Sequence, residues 1–234
     1  MEDAHYVDGD LGGLGWVFGG VYDGHGGRHA AEYAAENLHR FLLKAWKESN
    51  DPEAAFVQAY EQTSMRLAFQ GSGTTAVTFL LRRSELIVAN AGDARALLVS
   101  SSGQARQLTY DHRVDDEQER QRIEGSGGRI SGSYVMRGFR GLMPTRTIGD
   151  AYFKPVGIIA RPFTATYTIS QQDRFLIAAC DGLFDVMSNQ EVAEMAADLN
   201  DPESLAEALR HEALDVRMGT DNLTMILLRL TGCS

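Results

Sequence analysis

Apolar residues fall along this chain in two different periods, and the two come in blocks. Trp16 to Tyr22 is a short apolar run ending at Asp23-Gly24, the pattern of a buried strand. From Arg28 to Lys47 the positions Ala31, Ala34, Ala35, Leu38, Phe41, Leu42 and Ala45 recur at helical spacing. Asp51 as N-cap and Pro52 at the first helical position open a second helix, running to about Phe69. Three β-rich runs follow, Thr74 to Leu81, Leu86 to Ala91 and Arg95 to Val99, with turns at Arg83-Ser84 and Gly92-Asp93. They read as consecutive antiparallel strands. Asp115 to Glu124 reads as a polar helix. Gly125 to Pro162 is glycine-rich without a clear period, which predicts long functional loops or a flap. Phe175 to Cys180 predicts a further buried strand, ending at Asp181-Gly182. Asn189 to Leu199 and Pro202 to Val216 predict a helix pair, and Leu223 to Leu230 a last strand entered from Asp221-Asn222. Strands neighbour strands and helices neighbour helices, which favours α+β with antiparallel sheets over alternating βαβ units.

The 234 residues suit one domain with a substantial core, without repeats or an obvious linker. No apolar run approaches the ~20 residues that cross a bilayer. The opening MEDAHYVDGD is acidic and is no secretory signal, so an intracellular, cytoplasmic protein is expected; a monomer is the separate expectation for its assembly. Two cysteines cannot form a disulfide framework; Cys180 reads as a reduced core residue and Cys233 as a tail residue without a role. The net charge of −10 argues against nucleic acid as a partner. An acidic protein still binds a phosphoester where cations neutralise its carboxylates locally, so the placement of the aspartates decides.

Asp23, Asp181 and Asp221 each lie where a buried apolar strand meets a loop. Brought together they would repel and raise one another's pKa unless a cation sat among them. All-oxygen ligands select hard cations such as Mg²⁺ or Mn²⁺. Two such ions ~3.5–4 Å apart activate a water and grip a phosphoryl group. Taken singly, an Asp-Gly after a strand, as at Asp23 and Asp181, reads better as a turn; three aspartates at strand–loop junctions favour a site. Taken alone, His25 reads as a hydrogen-bonded loop histidine; beside bound metals it could instead serve as a general acid. Gly26, Gly27 and Gly73 suit either close backbone approach or plain turns. The run Gly125 to Gly128 lacks the strand and lysine of a phosphate loop, and Asp8-Gly9-Asp10 lacks the rest of a calcium loop.

The segment VYDGHGG, Val21 to Gly27, resembles the central motif of the type 2C (PPM) protein phosphatases. MEDAH at Met1, GTTAV at Gly73, NAGDAR at Asn90 and LTYDH at Leu108 resemble further motifs of that family, as do TRTIGD at Thr145, ACDGLFDVMSNQE at Ala179 and TDNLTMI at Thr220. Their order and spacing match across nearly the whole chain. The resemblance implies two antiparallel sheets in a central sandwich flanked by helix pairs (αββα layers), over residues 1–234, with a flap at 125–162. It implies metal-dependent hydrolysis of phosphoserine and phosphothreonine on phosphorylated proteins by a two-metal-activated water, with His25 as general acid. Asp23 would bridge the two Mg²⁺ or Mn²⁺ ions, one also served by Glu2 and the Gly24 carbonyl, the other by Asp181 and Asp221. Asp93 would help Asp181 hold a third, weaker ion, and Asp3 would act through water.

In that family an arginine upstream of the MED motif contacts the substrate phosphate, and here the chain starts at Met1 of that motif. The expectation is a domain without that arginine and its strand, with Arg28 or Arg146 as candidate substitutes. An alternative is therefore a phosphatase-like regulatory or binding protein with reduced catalysis; hydrolysis of small phosphate metabolites is a third reading. Asp150 and Arg146 are expected in structural roles, as an ion pair or a cap beneath the flap, and Pro144 stands where relatives carry a small residue.

Overall fold

The computed structural model describes residues 1–69 and 71–230; Cys233 lies outside them. In chain order the strands and helices are β1 (Ala4–Asp8), β2 (Val17–Tyr22), β3 (Gly24–His25), α1 (His29–Ser49), α2 (Pro52–Arg66), β4 (Gly73–Thr74), β5 (Ala76–Arg82), β6 (Glu85–Ala91), β7 (Arg95–Ser100) and β8 (Ala105–Gln107). They continue as α3 (Glu117–Gly125), β9 (Arg129–Ser131), β10 (Tyr134–Arg137), β11 (Arg140–Leu142), β12 (Ile148–Gly149), β13 (Phe163–Thr168) and β14 (Asp173–Ala179). The one-turn α4 (Asp181–Phe184), α5 (Asn189–Asp198), α6 (Pro202–Arg210) and β15 (Met225–Arg229) complete the order.

Two antiparallel sheets, ordered β1-β2-β5-β6-β13 and β15-β14-β7-β8, pack face to face. Strand β5 shows how the pattern builds the layers. Val77, Phe79 and Leu81 point to the inter-sheet core, whereas Ala76 and Leu80 point to the core under α1 and α2. Both faces are buried, so the run is continuously apolar and not alternating. On the far side, Leu97, Phe175 and Ile177 meet Val192, Ala196, Leu205 and Leu209 of α5 and α6. The result is the expected αββα sandwich.

Local chemistry fixes the helix starts. The Asp51 carboxylate accepts from the Glu53 and Ala54 amides at 3.0 and 3.2 Å. Ser188 and Glu191 form a reciprocal capping box at α5. No helix of the described residues is long and apolar enough to cross a membrane.

Three expectations need correction. The third of the consecutive strands, β7, leaves its neighbours and joins the second sheet, because the Gly92-Asp93 turn carries the chain across the sandwich. The glycine-rich stretch is not all loop: β9, β10 and β11 form a small antiparallel sheet over a satellite core of Ile123, Val135, Leu142 and Phe153. Strands of three or four residues are too short to show a period. Helix 202–216 ends its α-helical part at Arg210 and closes with a π-turn over His211–Val216.

Candidate active site

At one end of the sandwich a cleft of about 780 Å³ opens between the floor of both sheets and the flap. Glu2, Asp23, His25, Asp93, Asp181 and Asp221 line its floor, together with Gly24; Arg140 to Pro144 form its lip. Asp23 follows β2 directly, and its carbonyl accepts from the Thr75 amide and the Thr74 hydroxyl, both at 2.9 Å. Asp181 does not lie in a loop: it is the first residue of α4, after Cys180 as N-cap. Asp93 is buried in the turn after β6, and Asp221 lies in the loop before β15, accepting from the Asn222 amide at 2.7 Å. Glu2 accepts from the Gly27 amide at 3.0 Å. Asp3 stands behind this lining, with one oxygen bonded to the Thr224 hydroxyl at 2.7 Å.

A minor sheet, β12-β4-β3, sets the histidine. It pairs His25 with Gly73 and Gly73 with Gly149, which puts Asp150 beside the imidazole. His25 Nε2 lies 2.7 Å from Asp150 Oδ2. Gly73 separates the two, and a Cβ there would overlap both the Asp150 carboxylate and the ring. Gly26 and Gly27 serve differently, taking φ of 66° and 114° in the turn that leads into α1.

The electrostatics of the floor are strained in one direction. Burial, then the neighbouring Asp181 and Asp3, push the Asp23 carboxyl far above the usual range. Burial and Asp93 push Asp181 up as well. Burial raises Asp93 and Asp3 too, although Arg113 opposes the shift at Asp93. Arg113 donates to Asp93 at 2.8 Å and Asp185 at 2.9 Å, and reaches Asp181 at 3.5 Å. Buried oxygens of Asp3 and Asp181, both Oδ1, have no hydrogen-bond partner. Burial alone would lower His25, but the bond and charge of Asp150 outweigh it and the imidazole is raised.

Oxygen donors in excess, carboxyls driven toward protonation and orphaned carboxylate oxygens are together the signature of a floor that suits hard divalent cations. Among the described residues no three His, Cys, Asp or Glu side chains stand already converged as a coordination shell.

Sequence reasoning placed Asp150 and Arg146 as an ion pair or a cap; the fold separates them. Arg146 grips Glu119 from 2.7 Å and caps the Arg161 carbonyl, whereas Asp150 turns to His25. Neither substitute for the expected phosphate-binding arginine lines the cleft. Arg28 is exposed and pairs with Glu32, and Arg146 is committed to Glu119. Arg113 was missed, and Asp150 was given a different partner, because their partners lie 20 and 125 residues away, beyond any local signal.

Residues 1–222 match the family profile described as Protein phosphatase 2C. A probable protein phosphatase 2C 32 of Oryza sativa subsp. japonica is 38% identical over 246 residues, which take in 98% of this chain and 62% of the rice protein. The chain thus spans less than two thirds of that relative's length. Protein phosphatase 2C homolog 1 of Saccharomyces cerevisiae is 33% identical over 255 residues, covering 98% of this chain and 88% of the yeast protein. Among solved structures, serine-threonine phosphatase 2C from Toxoplasma gondii shares the fold with a TM-score of 0.84 at 24% identity, covering 98% of this chain and 90% of that one.

Proposed function

Because the chain belongs to the protein phosphatase 2C family, we propose that it hydrolyses phosphoserine and phosphothreonine esters on proteins with Mg²⁺ or Mn²⁺. The single observation that carries this reading is that Asp23, Asp181, Asp221 and His25, distant in sequence, line one cleft. Glu2, Asp23 and the Gly24 carbonyl would hold one cation, and Asp23, Asp181 and Asp221 a second. Asp93 with Asp181 would hold a third, and Asp3 would act through water. When bound, the ions supply an activated water and positive charge toward the phosphoryl group.

The chain's own groups do the rest. The carboxylates position that charge at the floor, and the Thr74 and Thr75 bonds to the Asp23 carbonyl keep its backbone from shifting. A seryl or threonyl alkoxide leaves poorly, and a general acid helps typically 10²–10⁴-fold. His25 serves that step. Asp150 occupies Nε2 and favours the imidazolium, so Nδ1 carries the proton to the departing oxygen.

The reading is tested by following phosphate release from a phosphothreonine peptide. Activity should vanish with EDTA and return with Mn²⁺, and Asp23→Ala or Asp221→Ala should abolish turnover while the folded far-UV spectrum persists. Turnover near the parent rate in either variant would refute the ligand assignment.

A further inference from the structure

The flap carries charge of the opposite sign to the rest of the protein. Between Gly125 and Gly149 there are four arginines and no aspartate or glutamate, in a chain whose net charge is −10. Two of these arginines lie apart from the cleft lip: Arg129 starts β9 and Arg146 is tied to Glu119. The other two, Arg137 and Arg140, flank the two-residue turn at Gly138-Phe139 as direct partners across β10 and β11. Their guanidinium carbons lie 4.4 and 5.5 Å from the centroid of the same ring, that of Tyr152. The Tyr152 hydroxyl donates to the Arg137 carbonyl at 3.2 Å, and its ring meets Phe153 edge-on at 5.3 Å, so the platform is anchored to the satellite core.

Stacking on a tyrosine face costs a guanidinium little hydration and holds its fork in a fixed plane. Two like charges on one ring repel, and among the described residues neither has a carboxylate in ion-pair reach. Arg140 lines the cleft and is the cation on its wall, opposite a floor of carboxylates and His25. Phe139, at the tip, is fully exposed. A cationic pair held without a counter-charge, next to an apolar tip and on the lip of a phosphoester cleft, is built to receive an anion.

We propose that Arg137 and Arg140, held over Tyr152 at the lip of the cleft, form a second anion site that takes an acidic side chain flanking the phosphoresidue of a peptide substrate. The inference rests on the phosphatase reading for its substrate and deepens it. The floor treats the phosphoryl group, and the flap selects the sequence around it. Both a carboxylate and a second phosphate match the fork geometry of a guanidinium.

The test uses the whole chain with Mn²⁺ and phosphothreonine peptides that differ only beside the phosphoresidue, carrying alanine, aspartate, phosphoserine or lysine. The aspartate and phosphoserine peptides should show KM on the order of tenfold below the alanine peptide, with kcat alike and the gap closing at high salt. A stronger effect of phosphoserine identifies a second phosphate as the preferred group; equal effects identify a carboxylate as sufficient. The Arg137→Gln/Arg140→Gln double variant should flatten the series, and Arg140→Glu should turn it toward lysine. Calorimetric affinities for the same peptides read the site independently of turnover. Absence of turnover on all four peptides with the acidic preference intact in binding would sink the phosphatase reading alone. Equal KM and equal affinity across the parent series, or an unchanged preference in the folded double variant, would overturn the anion site. The single Arg140→Gln variant decides if the double variant melts early.

Discussion

Removing Arg113 should expose how the carboxylate floor is balanced. Its guanidinium bonds Asp93 at 2.8 Å and Asp185 at 2.9 Å, and Asp93 is 2% exposed. In Arg113→Met the side-chain volume is kept and the charge is lost, which leaves Asp93 buried without a cation. Breaking one partner of a buried pair costs ~3–5 kcal/mol, and the partial exposure of Arg113 argues for the low end, about 3 kcal/mol. For a chain of this size that is a fall of roughly 6–12 °C in Tm. The sign with pH follows from linkage. Without the guanidinium, burial holds the folded-state pKa of Asp93 still further above its unfolded value than it is now. A carboxyl raised in the folded state destabilises increasingly as pH climbs above the unfolded pKa toward the folded one. The Tm deficit of the variant should therefore be smallest near the ordinary aspartate pKa and grow as pH climbs above it. Differential scanning calorimetry in EDTA at several pH values measures it. A variant that melts with the parent, or a deficit independent of pH, would refute the reasoning.

Three further outcomes are expected. In Asp150→Asn the imidazole loses the charge that raises it, so the alkaline limb of the kcat–pH profile should move to lower pH; an unmoved limb would remove Asp150 from the proton-transfer step. In Glu119→Gln a buried carboxylate is lost. Burial disfavours its charge, but bonds from Arg122, Arg146 and Thr145 outweigh that and hold it well below the usual range. Its stabilisation is thus present at neutral pH and lost as pH falls below the ordinary glutamate value, and the variant should cost ~3 kcal/mol at pH 7 with a smaller deficit below pH 4, read from urea unfolding at both. Phe79→Ala empties the inter-sheet core at a side chain 1% exposed whose ring lies on Gly19; the rigid β2 backbone limits collapse, so the midpoint in urea should report a loss of ~3–5 kcal/mol with m unchanged.

What could be read from the sequence follows from range. The strands β2, β5, β6, β7 and β14 are buried on both faces or nearly so, and their apolar runs announced them. Strands β1 and β13 did not show, because they are sheet edges whose side chains alternate between half-buried and exposed with Thr, His and Asp among them. Asp23 and Asp181 were legible because Asp-Gly follows an apolar run at both, and Asp221 because it stands just before one; Asp93 came only with the family resemblance. The partners that tune them were not legible. Arg113 follows its motif as one more polar residue, and Asp150 reaches His25 only through the minor sheet that aligns Gly149, Gly73 and His25. Such contacts depend on register across three segments, which no local spacing encodes.

The same geometry explains why the floor sits at the end of a sandwich. Asp23 comes from the first sheet, through β2, whereas Asp181 comes from the second, through β14. Carboxylates on one sheet could relieve their repulsion by leaning apart; here each is anchored to a different slab, and the slabs are locked by the core of Val77, Phe79, Leu98 and Leu176 between them. Packing energy therefore holds acidic groups closer than their charges favour, and the floor meets that repulsion in two ways. Arg113 is a covalent part of the chain and neutralises the outer side, at Asp93 and Asp185. Toward Asp23 and Asp181 the opposing charge must come from a proton or a bound cation, because the described side chains offer only the edge of Arg113 at 3.5 Å. A site that is built under this tension binds divalent ions by relieving it, so loosening the sandwich core should weaken Mn²⁺ affinity before it unfolds the protein. Calorimetric titration of Mn²⁺ into a mildly destabilised inter-sheet variant, Val77→Ala, checks this; undiminished affinity would show that the carboxylates are held by their own loops and not by the packed slabs.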